Sequence, residues 1–147
     1  MKQIMPYPVW IGHGGEGHDF GHILDAGIEA VVELAMEEPS FPTRRDLITC
    51  RFPLLDGVGN RPELLALAVR TVASLLAAEI PTLVCCSAGM SRSLAVVAAA
   101  LARVHHEPPE DCLKRVASHH PHDVSPGLWK EITALADQGL AVPARKA

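Results

Sequence analysis

A chain of 147 residues that is 48% hydrophobic and 20% charged has the length of one compact domain and the apolar content to bury a substantial core, with no low-complexity linker or internal repeat. A net charge of −4 provides no broad polybasic surface, so neither nucleic acid nor anionic lipid is an expected partner. Four cysteines, no long apolar region in Met1–Pro6 and no apolar run long enough to span a membrane point to free thiols in a cytoplasmic protein rather than a disulfide framework.

In chain order, Gly27 stops a short helix at its C′ position, and the apolar, β-branched run from Ala30 to Leu34 follows as a strand. A second strand is expected from Leu47 to Phe52, then a loop from Pro53 to Asn60 in which Asp56 stands between Leu55 and Gly57. Asn60-Arg61-Pro62-Glu63 reads as a capping box opening a helix, with Leu65, Ala68, Val69, Val72, Leu75 and Leu76 on one face. Ile80 to Val84 reads as a short buried strand, and Ser93 to Ala102 as a helix apolar on nearly every side. Further helices are expected over Pro109–Ser118 and Pro126–Asp137, the latter capped by Ser125 with Pro126 at N1. Residues 138–147 are expected to form a loose tail. Strands alternating with helices, then helices alone, describe an α/β domain with a central, mostly parallel sheet and a helical C-terminal half.

The chemistry concentrates between Val84 and Ser93, where a strand, a tight loop and a buried helix meet at Cys86. Successive backbone N–H groups of such a loop, Ser87, Ala88, Gly89, Met90 and Ser91, converge as an anion-binding nest, and the positive end of the following helix adds to them. Arg92 at the helix start offers a planar fork for two oxygens of a phosphate. The same positive field favours the thiolate of Cys86 as a nucleophile. Ser93 is placed to hydrogen-bond that sulfur, and Gly89 lets the loop turn where a Cβ would clash.

The segment resembles the C-x5-R-[ST] loop of cysteine-dependent protein tyrosine phosphatases, and Ala88-Gly89-Met90-Ser91-Arg92-Ser93 resembles that of the dual-specificity branch in particular. Elsewhere, Pro8-Val9-Trp10-Ile11-Gly12 is similar to the family's opening strand, Asp25–Leu34 to its helix, Gly-Ile and strand unit, and Pro121–Trp129 to the segment that begins its last helix. The resemblance covers about residues 8–136 of a single domain spanning 1–147, and only the cysteine loop is specific on its own. It implies a phosphatase-like fold and hydrolysis through a phosphocysteine, with catalytic Cys86, Arg92 and Ser93 and no metal or organic cofactor. Asp56, which position alone fits as a turn residue before glycine, takes the place of the family's general acid. One departure stands out: Cys85 occupies the position where the family has a histidine that organises the loop, which implies a less stabilised thiolate and slower turnover.

With 4% aromatic residues and no segment resembling a tyrosine-containing recognition loop, a shallow pocket is expected, open to phosphotyrosine, phosphoserine and phosphothreonine on a protein substrate, in a monomer. A phosphate-binding pseudophosphatase, a phosphatase for an inositol lipid or RNA 5′ end, and a sulfurtransferase or arsenate-reducing thiol enzyme are the alternatives. Cys50 is a candidate redox partner for Cys86, on the expectation that its strand lies beside the active-site strand, and Cys85 is a second, though vicinal disulfides are strained. The eight histidines match no metal-ligand spacing and read as loop and helix-end residues, with His122 or Asp123 bordering the pocket. Arg44, Arg45, Arg51 and Arg61 are candidates for a basic rim, Arg51 the most notable because its strand leads to Asp56.

Overall fold

The apolar run ahead of Cys86 becomes the centre strand of a five-stranded sheet. The computed structural model describes residues 1–137, so the expected tail over 138–147 lies outside the described residues. The strands are β1 (Lys2–Gln3), β2 (Val9–His13), β3 (Ala30–Ala35), β4 (Ile48–Leu54) and β5 (Thr82–Cys86), in the spatial order β1-β2-β5-β3-β4. All neighbours are parallel except β1, which pairs antiparallel with β2. The helices are α1 (Phe20–Asp25), α2 (Pro62–Ala77), α3 (Arg92–His105), α4 (Pro109–Ala117) and α5 (Pro126–Asp137), and a 3₁₀ turn spans Gly14–His18. The result is the single α/β domain that the alternation of elements implies.

Two apolar clusters lie on opposite faces of this sheet. Val9, Ile11, Val32, Leu34, Val84 and Cys86 face the larger one, which α2, α3, α4 and α5 complete. Val31, Leu83 and Cys85 face the smaller one, closed by Ile23 of α1 and by Phe41. The period-two alternation of a strand is why Cys85 and Cys86, adjacent in sequence, serve different faces. β3 and β5 are buried throughout, as strands covered on both sides must be. α3 buries every residue from Arg92 to Ala102 because it is wedged between the sheet and the other helices, which explains an apolar surface on all sides.

Three expectations need correction. β5 begins two residues later than expected and runs to Cys86 itself, so Cys86 ends a strand. The capping box at residues 60–63 does not form: Arg61 is the N-cap of α2 with no side-chain cap bond, because the Asn60 amide is engaged in the preceding loop. Most important for redox chemistry, β3 lies between β4 and β5. Cys50 pairs with Val32, which pairs with Val84, so Cys50 stands two strands, about 10 Å, from the Cys86 strand, beyond disulfide reach without backbone movement.

Leu101 sits fully buried in the middle of α3. Leu101→Ala should cost about 2–5 kcal/mol of stability, read as a lowered midpoint in urea unfolding; a loss within error would mean that the helix is not the centre of the core.

Candidate active site

The carboxyl ends of β3, β4 and β5 point the same way, and ligand sites of open parallel sheets form there. The turns after them bring together a cleft of about 260 Å³ whose lining includes Cys86, Ser87, Ala88, Met90, Ser91 and Arg92. Three carboxylates, Glu37, Asp56 and Asp123, share its wall. The loop from Ser87 to Ser91 turns tightly at Gly89, whose φ is +69° and whose missing Cβ would stand 2.9 Å from the carbonyl of Gly12. Glycine is therefore required for two reasons, left-handed backbone and contact with the end of β2. Gly14 N–H donates to the Ser87 carbonyl at 3.3 Å and ties the loop to the same segment.

Arg92 opens α3 with its side chain folded under the loop and is only 4% exposed. Its Nη1 donates to the Leu54 carbonyl at the end of β4 (2.9 Å) and to Glu37 Oε2 (2.8 Å), and its Nη2 donates to Glu37 Oε1. Its Nε is buried with no hydrogen-bond partner among the described residues. Glu37 Oε1 also accepts from Ser87 Oγ at 2.6 Å. The Arg92 hydrogen bonds outweigh the cost of partial burial and hold the Glu37 carboxyl at about 2. A carboxylate is thus seated on the Nη1/Nη2 edge of the guanidinium, while the Nε–H and the second Nη2–H remain side by side and unpaired among the described residues.

Asp56 also lines the cleft. Ser91 Oγ donates to Asp56 Oδ1 at 2.6 Å and accepts from Ser125 N–H at 2.9 Å, so one buried hydroxyl couples the acid loop, the cysteine loop and the start of α5. Ser91, expected among the phosphate-binding residues, spends its side chain on Asp56 and has only its backbone N–H to offer an anion. The acid loop is closed by Asn60, whose Oδ1 accepts from Leu55 N–H (2.8 Å) and whose Nδ2 donates to the carbonyls of Leu55 and Gly57 (3.0 and 3.2 Å). Gly57 and Gly59 adopt positive φ within it, at +158° and +97°. Asp123 lines the cleft, and its N–H donates to the Met90 carbonyl at 2.9 Å. Ser93 Oγ, fully buried below the loop, has no hydrogen-bond partner among the described residues.

Cys85 is buried on the far side of the sheet in register with Glu33. Burial, reinforced by the Glu33 and Cys86 charges, pushes its thiol well up, so it stays protonated and is neither a nucleophile nor a partner facing Cys86. Burial also raises the Cys50 thiol. Among the basic residues, Arg44 pairs with Asp46, and neither Arg44 nor Arg61 lines the cleft. Arg51, an exposed residue, folds onto the turn after β3: its Nη2 donates to the carbonyls of Ala35 and Met36 (both 3.3 Å) and Glu38 (2.7 Å), bracing the turn that presents Glu37. Glu37 escaped the sequence reading, and Asn60 was read there as a helix cap rather than as the residue that closes the Asp56 loop. The signal for Glu37 was its position just past a buried parallel strand, at the end of the sheet where sites gather.

No family model and no curated protein matches the chain, but solved structures do. The structure of human DUSP28 superposes with a TM-score of 0.81 at 21% identity, covering 96% of this chain and 100% of that one. A mouse putative dual specificity phosphatase, solved in complex with zinc tungstate, gives 0.80 at 22% identity over 97% and 92%. Human tyrosine phosphatase-like serine/threonine/tyrosine-interacting protein gives 0.80 at 17% identity over 96% and 98%. The chain has the dual-specificity-phosphatase-like fold.

The Glu37–Arg92 pair carries a pH signature. Because the folded carboxyl titrates at about 2 rather than near the ordinary 4.5, the pair stabilises the fold fully above 4.5 and loses that contribution as pH falls through 2. The stability gap between wild type and Glu37→Gln in urea unfolding should be constant near neutrality and narrow steadily below pH 4.5. A gap independent of pH over that range would contradict the pairing.

Proposed function

We propose that this chain is a cytoplasmic, monomeric phosphoprotein phosphatase that hydrolyses phosphotyrosine and phosphoserine or phosphothreonine through a phosphocysteine. The observation that carries the reading is the convergence, in one cleft, of Cys86 at a strand end, a glycine-turned loop, a buried guanidinium with an unpartnered Nε and a tethered carboxyl group.

The Cys86 thiolate attacks phosphorus in line, forming a P–S bond as the P–O bond to the leaving group breaks. Loop amides and Arg92 carry the charge on the equatorial oxygens, and the proton of Asp56 passes to the departing oxygen. Water then attacks the phosphocysteine, its proton goes to the Asp56 carboxylate, and the P–S bond breaks to return the thiolate and release phosphate. The expected hydrogen bond from Ser93 to that sulfur is not made in the resting structure, where the buried Ser93 Oγ has no partner among the described residues, so its support of the leaving thiolate requires the hydroxyl to turn toward Cys86. Among the described residues none of those lining the cleft is aromatic, which supports acceptance of short as well as long phosphorylated side chains.

A phosphate-binding module without turnover is the second reading, favoured by Cys85 in place of the loop-organising histidine. Turnover distinguishes the two. Cys86→Ser should abolish hydrolysis of an aryl phosphate while vanadate still binds. Asp56→Asn should lower kcat by about 10²-fold for an alkyl phosphate and far less for a nitrophenyl phosphate, whose leaving group needs little protonation. Equal losses on both substrates would remove Asp56 from the acid role, and vanadate binding without turnover in the wild type would favour the binding module.

A further inference from the structure

We infer that Glu131 is a positioning residue for Asp56: from α5 it anchors the loop that carries the acid. The inference rests on the phosphatase reading with Asp56 as its general acid.

The loop from Leu55 to Gly59 has little burial to hold it. Leu55 and Val58 are 44% and 68% exposed, so apolar packing contributes little. The Asn60 amide closes the loop on itself through Leu55 and Gly57, which fixes its shape but not where it sits relative to the cysteine loop. Side-chain hydrogen bonds tie it to other elements at two places. Ser91 Oγ donates to Asp56 Oδ1, and Gly59 N–H donates to Glu131 Oε1 at 2.9 Å, across 72 positions of the chain.

The two ties differ in what the reaction does to them. Asp56 gives up and regains a proton, so the Ser91 bond is made to the reacting group itself and changes strength through the cycle. Glu131 holds a backbone N–H that no proton transfer touches, and so keeps the loop in place while its acid changes charge. The surface of α5 is shaped for this contact. Gly127, one turn before Glu131 on the same face, lacks the Cβ that would stand 2.6 Å from Val58 Cγ1, which lets the loop lie directly on the helix. Beyond Glu131 the contact gives way to a cavity of about 280 Å³ lined by Asn60, Leu65, Ala134 and Leu135, so no packed core replaces the bond. Glu131 Oε2 is buried with no partner among the described residues, a cost in stability that a position serving packing alone has no reason to carry.

The test measures kcat on an alkyl phosphate and on a nitrophenyl phosphate with wild type, Glu131→Ala, Glu131→Gln and Asp56→Asn. A misplaced acid costs most where the leaving group needs its proton. Glu131→Ala should lower kcat about tenfold on the alkyl phosphate and less than about twofold on the nitrophenyl phosphate. Glu131→Gln, which keeps an oxygen acceptor for Gly59 N–H, should recover most of that loss. Added to Asp56→Asn, Glu131→Ala should cost nothing further. Glu131→Asp, one methylene too short to reach Gly59, carries the same prediction if Glu131→Ala does not fold. Equal losses on the two substrates, an undiminished loss in the Asp56→Asn background, or Glu131→Gln as slow as Glu131→Ala would overturn the inference and leave Asp56 as the acid. If Asp56→Asn itself fails to separate the two substrates, or wild type turns over neither, the acid reading falls and this inference falls with it.

Discussion

A guanidinium as deeply buried as that of Arg92 must have its charge met, and the end of this sheet is arranged around that demand. The carbonyl of Leu54 meets it from β4, the carboxylate of Glu37 from the turn after β3, and the strand-loop-helix unit of β5 and α3 carries the arginine itself. Three parallel strands thus finish on one side chain. The cation is buried because α3 is buried, and α3 is buried because it fills the space between the sheet and the other helices. Core packing and the candidate site therefore share a helix, whose N-terminal end carries Arg92 at the cysteine loop.

The placement of Asp56 follows from the same economy of contacts. The hydroxyl of Ser91, at the N-cap of α3, bonds Asp56 rather than the helix's own N–H groups, and the N–H of Ser125 bonds it in turn. Asp56 is tied to the cysteine loop, while Asn60 holds the turn that carries it. Cys85 has no part in this arrangement. It lies on the other face beside Glu33, where it fills space as a protonated thiol and gives the loop none of the donors an imidazole would provide.

What was legible in the sequence was what is local. Cys86, Gly89, Arg92 and Ser93 lie within eight consecutive residues, and their spacing on a strand-loop-helix already states the cradle. The parallel sheet and the helices after it were readable from alternation and capping, with α5 opening at Pro126 as expected. Illegible was whatever depends on sheet order. Chain order places β4 next before β5, but β5 inserts between β2 and β3, which moves Cys50 to an edge strand and brings Glu37 against Ser87 across 50 positions. Asn60 was misread for a different reason: its amide caps helices and closes loops equally well, and only the partners on the Leu55 side decide which. Arg51, noted as a rim residue, instead organises the turn beneath the rim.

The central claim, that the sulfur of Cys86 takes the phosphoryl group, is tested most directly by acid-quenching the protein during turnover of an aryl phosphate and mapping the adduct by mass spectrometry. The account predicts a phosphoryl group on the peptide containing Cys86, formed and lost at rates compatible with turnover. Sustained hydrolysis with no adduct, or an adduct on another residue, would contradict it.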